Sequence, residues 1–156
     1  MTAATSSGRE PTFLHSNNAA GVSRGVVTDH FAYASAVAID VKTMKRLAAA
    51  DTVGDETRIC LEQIENTLKE AGMSRRNVVK TTCYLRDESY RMEFLQAYKA
   101  FFGDGPYPCR CTVVLGIAGD CRVQVFPLLP AVAVDAAVAG GLARVIAVGD
   151  EQRMEA

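Results

Sequence analysis

The stretch Asn77–Asp87, NVVKTTCYLRD, decides the architecture. Its residues alternate, with Val79, Thr81, Cys83 and Leu85 on one side and Val78, Lys80, Thr82, Tyr84 and Arg86 on the other. That is the two-residue period of a half-buried strand, expected over Asn77–Arg86. A helical pattern lies on each side of it. Upstream, Asp55–Ala71 brings Cys60, Ile64, Thr67, Leu68 and Ala71 to one face at helical spacing, with Glu62, Glu65, Lys69 and Glu70 elsewhere. Gly72 supplies the stop. Downstream, Asp87 is an N-cap for a helix over Glu88–Phe102, whose stripe of Tyr90, Phe94, Tyr98, Phe101 and Phe102 reads as core. Before the first helix, the β-prone runs Gly25–Thr28 and Phe31–Ala38 meet at Asp29-His30 and predict a hairpin, followed by a loop over Val41–Val53. After the second helix, the Gly/Pro loop Gly103–Pro108 leads into strands over Cys111–Leu115 and Cys121–Leu129, joined by Gly116–Asp120. The order β-β-α-β-α-β-β predicts an α+β two-layer domain, a mixed β-sheet with two helices on one face. A sheet with an open face and free edges is expected to be covered by self-association.

Composition agrees with one folded domain. The chain has 156 residues, is 49% hydrophobic and 22% charged, and carries a formal net charge of −1. These values exclude disorder throughout and a fibrous protein. A nucleic-acid binder usually shows a basic excess or stripe, but the only adjacent basic pairs are Lys45-Arg46 and Arg75-Arg76. Pro130–Val148 is the longest apolar stretch, yet Asp135, Gly140-Gly141 and Arg144 interrupt it, so no membrane span is expected. Met1–Glu10 lacks the apolar region of a secretory leader. Together with five cysteines, an odd number, this argues for reduced thiols and a cytoplasmic location.

Several chemistries lack their residues. The two histidines are His15 and His30. A zinc deaminase needs His-x-Glu and Pro-Cys-x-x-Cys; Pro108-Cys109-Arg110-Cys111 has the wrong spacing, and no His-x-Glu occurs. No metal site and no cofactor are expected. No Walker A loop or Gly-x-Gly-x-x-Gly is present. Gly21-Val22-Ser23-Arg24-Gly25 matches Gly-x-Ser-x-Gly by chance, because a β-prone run, not a helix, follows the serine. Cys109 and Cys111 flank Arg110; in an extended segment the two thiols share one face and Arg110 takes the other. Small buried hydrophobes are the commonest fate of such thiols, with a nucleophile beside the arginine as the alternative. His30 reads as a solvated turn residue, with a general base as the alternative. His15 lies in the N-terminal tail.

Four segments in order resemble the YjgF/Rid family of reactive-intermediate deaminases. They are Gln63-x-x-Asn66-x-x-x-x-Ala71-Gly72, the strand Asn77–Asp87, Tyr98-Lys-Ala-Phe-Phe102, and Pro106-Tyr-Pro-Cys-Arg-Cys-Thr-Val113. The resemblance covers about Ala19–Pro130. It divides the chain into a flexible tail over 1–18, a Rid-like domain over 19–130 and an extension over 131–156. The extension goes beyond the family's usual end, and its Ala/Val-rich half is expected to extend the last strand or to pack as a short helix on a neighbouring subunit. The resemblance implies a chorismate-mutase-like fold and a homotrimer with sites in the clefts between subunits. It also implies hydrolysis of amino-acid enamines and imines without metal or cofactor. By this resemblance Arg110 binds the substrate carboxylate. The physics is independent of it: a guanidinium is a planar, permanently charged fork that grips a carboxylate bidentately.

The sequence also departs from the family pattern. The family's strongest deaminases carry a glutamate on the last core strand, where Val123-Gln124-Val125-Phe126-Pro127 places Phe126, and a phenyl ring cannot do acid–base work. The family's early Gly-Pro-Tyr appears as Gly21-Val22-Ser23-Arg24, without the tyrosine. Its Ser-Gly is Ser35-Ala36, and Leu95 aligns where an asparagine is common. The expected pocket is therefore more apolar, with Arg110, Ser35, Thr112, Phe126 and Cys111 as substrate contacts and no assigned catalytic group. Ser35, His30, Glu93, Asp120 and the backbone near Thr112 are the candidates for polarising water. The leading expectation is an enzyme acting on a small imine, enamine or related carbonyl compound, by deamination or a specialised biosynthetic step. The alternative is a ligand-binding or regulatory protein without turnover. An RNA-directed role is the least favoured.

Overall fold

The computed structural model describes residues 10–130. The expected tail over 1–18 is corrected in part, because Thr12–Asn17 forms strand β1 and pairs antiparallel with β2, Val22–Val27. Pairing with β2 satisfies the backbone groups on one side of β1, and Leu14 reaches over Gly25. The first nine residues and the expected extension over 131–156 lie outside the described residues.

The hairpin at Asp29-His30 forms. Strand β3, Phe31–Ala34, pairs antiparallel with β2, and the Thr28 hydroxyl closes the turn by donating to the Phe31 carbonyl at 2.9 Å. A break at Ser35 separates β3 from β4, Ala36–Val37. The expected loop over Val41–Val53 contains strand β6, Lys45–Arg46, which pairs with β5, Ile39–Asp40, just before the loop in a small hairpin. Helix α1, Val53–Glu70, opens on a capping box, with the Thr52 hydroxyl accepting from the Asp55 backbone and the Asp55 side chain accepting from Thr52. It ends where Gly72 takes a φ of +70°, as its place just past the helix predicts.

The deciding alternation becomes β7, Lys80–Leu85, with Thr81, Cys83 and Leu85 buried. Val79, expected among them, precedes the strand and is exposed. A 3-10 turn over Glu88–Tyr90, capped by Asp87, runs into helix α2, Arg91–Phe102. Strands β8, Cys109–Val114, and β9, Val123–Pro130, complete the sheet. Its order is β1-β2-β3-β9-β7-β8, with β4 also on β9. Only the β7–β8 pair is parallel among these pairings, so the sheet is mixed.

One face of the sheet carries the core. Ala32, Ala34, Ala36, Cys83, Leu85, Val123, Val125 and Leu129 pack with Cys60, Leu61, Ile64 and Leu68 of α1 and Phe94 and Tyr98 of α2. A buried ion pair fastens α1 to β9: Glu56 accepts from Arg122 Nε at 2.8 Å and from the backbone N–H groups of Arg122 at 2.7 Å and Val123 at 3.0 Å. The other face stays open, and Phe31, Tyr33, Val113 and Phe126 are each at least 37% exposed on it.

Candidate functional site

The register of β7 and β8 sets which way each candidate on β8 points. Arg110 stands opposite Thr81 and Thr112 opposite Cys83, both buried toward the helices. Cys111 stands opposite Thr82 and Cys109 opposite Lys80, so both thiols face away from the helices. The division between Arg110 and its two flanking cysteines is the one the spacing predicts. Both cysteines are exposed, whereas Cys60, Cys83 and Cys121 are buried.

Arg110 lies over the aromatic stripe of α2. Its guanidinium carbon is 4.9 Å from the centre of the Tyr98 ring and 5.8 Å from that of Phe94. Both rings are core, as the stripe predicts, and they are also the floor on which the arginine rests. The Tyr98 hydroxyl hydrogen-bonds Thr81 Oγ1 at 2.8 Å, which fixes the ring against β7. Burial pushes the Tyr98 phenol above its ordinary value. Among the described residues no carboxylate forms a salt bridge with Arg110. Its charge is therefore oriented by two rings and left open on an exposed edge strand.

Ser35 and Phe126 come together elsewhere. They line a depression of about 190 Å3 with Ser23, Arg24, Gly25, Val26, Tyr33 and Ala34. Its position on the open face follows from β2. A Cβ at Gly25 would meet Thr67 Cγ2 of α1 at 2.7 Å, so position 25 faces the helices and Arg24 and Val26 face away. The Ser35 backbone N–H donates to the Arg24 carbonyl at 2.9 Å, which sets the two side by side. Phe126 lies between buried Val125 and Pro127, turns outward, and packs edge-on against Tyr84 with ring centres 5.6 Å apart. Within one chain, then, Ser35 and Phe126 share a depression. Arg110 and Thr112 lie on the helix side of the sheet, and Cys111 on the open side of its edge strand. Sequence reasoning missed Arg24 and Tyr33 as lining residues; the inward glycine in VSRGVV was the available signal.

The remaining candidates for water activation are distributed as follows. Glu93 accepts from the Gly54 backbone N–H at 2.8 Å and ties α2 to the start of α1. Asp120 accepts from the Arg46 backbone N–H at 2.5 Å, and that bond holds its carboxyl below the usual carboxylate range. His30 is exposed in the hairpin turn. His15, expected in a tail, sits on β1 with Nε2 2.7 Å from Glu70. None of these side chains lines the depression around Phe126. Among the described residues no three His, Cys, Asp or Glu side chains cluster so as to hold a metal ion, and no helix is long and apolar enough to cross a membrane.

Comparison with known proteins converges on one family. A family model described as endoribonuclease L-PSP matches residues 15–124. A RutC family protein of Pyrococcus horikoshii is 35% identical over 80 residues, which are 51% of this chain and 61% of that relative. The matched stretch thus spans less than two thirds of the relative's own length. A solved YjgF family member from Neisseria meningitidis superposes with a TM-score of 0.66 at 20% identity, over 78% of this chain and 94% of that one. RidA from an Antarctic Psychrobacter does so with a TM-score of 0.61 at 22% identity, over 70% and 88%. At such identities the likeness of the structures speaks for the fold. The family model covers most of the described domain, and the chain belongs to the endoribonuclease L-PSP family, the group also named YjgF, RutC and Rid.

Proposed function

We propose that this protein acts on a small anionic imine, enamine or related carbonyl compound, with Arg110 holding the substrate's carboxylate or carbonyl oxygen. The observation that carries the reading is Arg110 itself: a guanidinium oriented over Tyr98 and Phe94, on an exposed strand, with no carboxylate of the described residues paired to it. A structural arginine normally finds an internal carboxylate, whereas one held over two rings and left without such a partner suits a bidentate anion. In the hydrolysis, water adds to the C=N carbon, and collapse of that adduct releases ammonia and leaves a C=O group.

The exposed aromatic and aliphatic side chains of the open sheet face support self-association. As a homotrimer, the protein would set Arg110 and Thr112 of one subunit across a cleft from Ser35 and Phe126 of the next, with Cys111 beside them. Reduced thiols fit a cytoplasmic setting, and the formal charge of −1 offers no basic field for RNA.

A second reading, ligand binding without turnover, is favoured by one observation. Among the described residues no carboxylate or imidazole lines the depression around Phe126. One experiment separates the two. Ammonia release from 2-iminopropionate generated in situ is measured for wild type and Arg110→Ala, alongside pyruvate binding. Acceleration by wild type, reduced about tenfold to a hundredfold in the variant through loss of charge-assisted hydrogen bonds, supports the enzyme. No acceleration by folded wild type, with saturable pyruvate binding lost in the variant, supports the binding protein and overturns the enzyme reading for this substrate. Full activity in Arg110→Ala would remove Arg110 from either role.

A further inference from the structure

Two thiols stand in the open on one strand. Cys109 and Cys111 are exposed, while Cys60, Cys83 and Cys121 are buried. Strand β8 pairs with β7 residue by residue from Lys80–Cys109 to Leu85–Val114, and the Cys109 N–H donates to the Val79 carbonyl at 2.9 Å, so the segment carrying both thiols is held extended. Residues two apart on such a strand share one face about 6.6 Å apart, and their Cβ atoms are separated by about as much. A disulfide needs Cβ atoms about 3.5–4.5 Å apart, so the paired strand keeps the two sulfurs from bonding to each other. A metal ion between them asks for less. With two metal–sulfur bonds of about 2.3 Å, the length found in zinc thiolates, a linear S–metal–S unit spans about 4.6 Å. Each sulfur reaches it by leaning about 1 Å inward from the strand spacing.

The ligand count then selects the ion. Among the described residues no three His, Cys, Asp or Glu side chains come together, and the register neighbours of the pair on this face are Lys80 and Thr82. A structural zinc site or an iron–sulfur cluster takes four protein ligands. Soft thiolates favour monovalent copper, which is satisfied by two of them. Two thiolates on a monovalent cation leave one net negative charge. Lys80, opposite Cys109 on β7, brings an ammonium to the same face and offsets that charge. We infer that Cys109 and Cys111 form a two-coordinate site for a soft monovalent cation, Cu(I). One ion bridges the two thiolates on the open side of β8, and both thiol protons pass to solvent on binding. The inference does not rest on the substrate proposed above, because Arg110, between the two cysteines in sequence, leaves the strand on the helix side.

The test is competition for Cu(I) by the whole protein under nitrogen, with bathocuproine disulfonate as the coloured competitor, followed by iodoacetamide labelling and peptide mapping. The variants are Cys109→Ser, Cys111→Ser and the two combined, each checked for native circular dichroism. Wild type is expected to hold one ion per chain and to lose labelling at Cys109 and Cys111 together. Each single variant is expected to bind about a hundredfold more weakly or worse, because the second thiolate of a chelating pair acts at high effective concentration. Zinc supplied in place of copper is expected to pass to a metallochromic chelator. A single variant that holds Cu(I) as well as wild type overturns the inference. So does uptake that leaves either cysteine open to iodoacetamide, uptake of less than one ion per chain, or retention of zinc by the same pair.

Discussion

Replacing Glu56 by alanine tests how the sheet is held to its helices. The Glu56 side chain is 0% exposed and receives three hydrogen bonds, from Arg122 Nε and from the backbone N–H groups of Arg122 and Val123. Alanine orphans two buried backbone donors, each costing about 1–3 kcal/mol. It also leaves a guanidinium whose side chain is 16% exposed facing an apolar methyl. These costs overlap, because Arg122 Nη2 keeps its bonds to the carbonyls of Ala50 at 2.8 Å and Asp51 at 3.0 Å. The expected loss is therefore about 3–5 kcal/mol, the range for removing one partner of a buried pair. Against a total of about 5–15 kcal/mol for a typical domain, such a loss is severe. Glu56→Gln keeps one acceptor and the shape, and should lose less, about 1–3 kcal/mol. The assay is urea unfolding followed by far-ultraviolet circular dichroism, at one fixed protein concentration because self-association would add to apparent stability. A Glu56→Ala protein within 1 kcal/mol of wild type would refute the reasoning, and so would Glu56→Gln falling below Glu56→Ala.

Other outcomes are as specific. Gly119→Ala should destabilise by at least about 2 kcal/mol, since φ is +63° there and a Cβ would lie 2.4 Å from the Met44 carbonyl oxygen. Gly25→Ala should cost about 1–3 kcal/mol through its 2.7 Å approach to Thr67 Cγ2; both are read by the same unfolding assay, and the opposite ranking would count against the geometry. At pH 8, Ellman's reagent should leave Cys60, Cys83 and Cys121 unreacted until urea unfolds the protein, with any native reaction confined to Cys109 and Cys111; peptide mapping of the labelled protein checks it. Burial pushes the Cys83 and Cys121 thiols up to about 11. The folded state therefore binds their protons more tightly than the unfolded chain, and this stability is fully present below the ordinary thiol value of about 8.5 and lost as pH rises from there toward 11. The urea midpoint should fall over that interval, with a shallower fall in Cys83→Ser.

Where the sequence pattern is local, it finds the elements. Lys80–Leu85 alternates within one strand, and α1 carries its own cap at Thr52 and its own stop at Gly72, so neither needs distant context to be recognised. Strand β1 is different. Phe13 is 61% exposed, the strand has one neighbour, and only pairing with β2 makes it a strand; nothing in its residues alone shows that partner. Strands β4, β5 and β6 have two residues each, too few to show an alternating pattern. At the candidate site, the family resemblance of Pro106–Val113 pointed to Arg110, and the spacing of its flanking thiols predicted its face. Its aromatic floor was hidden, because Phe94 and Tyr98 fulfil the core reading completely and the second contact is made across elements. Arg24 was hidden because which way β2 turns is decided by the closeness of Gly25 to Thr67, a contact between residues far apart in sequence.

The two faces of the sheet differ in how freely their residues can be exchanged. Ala32, Ala34, Val123 and Val125 on the helix side are fitted into a full core, and a change there costs folding. Arg24 on β2, Tyr33 on β3, Ser35 in the break after it and Phe126 on β9 project to the other side and are not among the core residues. A library randomised at those four positions should keep most of its members folded while varying charge, size and polarity in the depression. The strands then act as a fixed rack with interchangeable fittings, and new ligand preferences can be sought without first restoring lost stability.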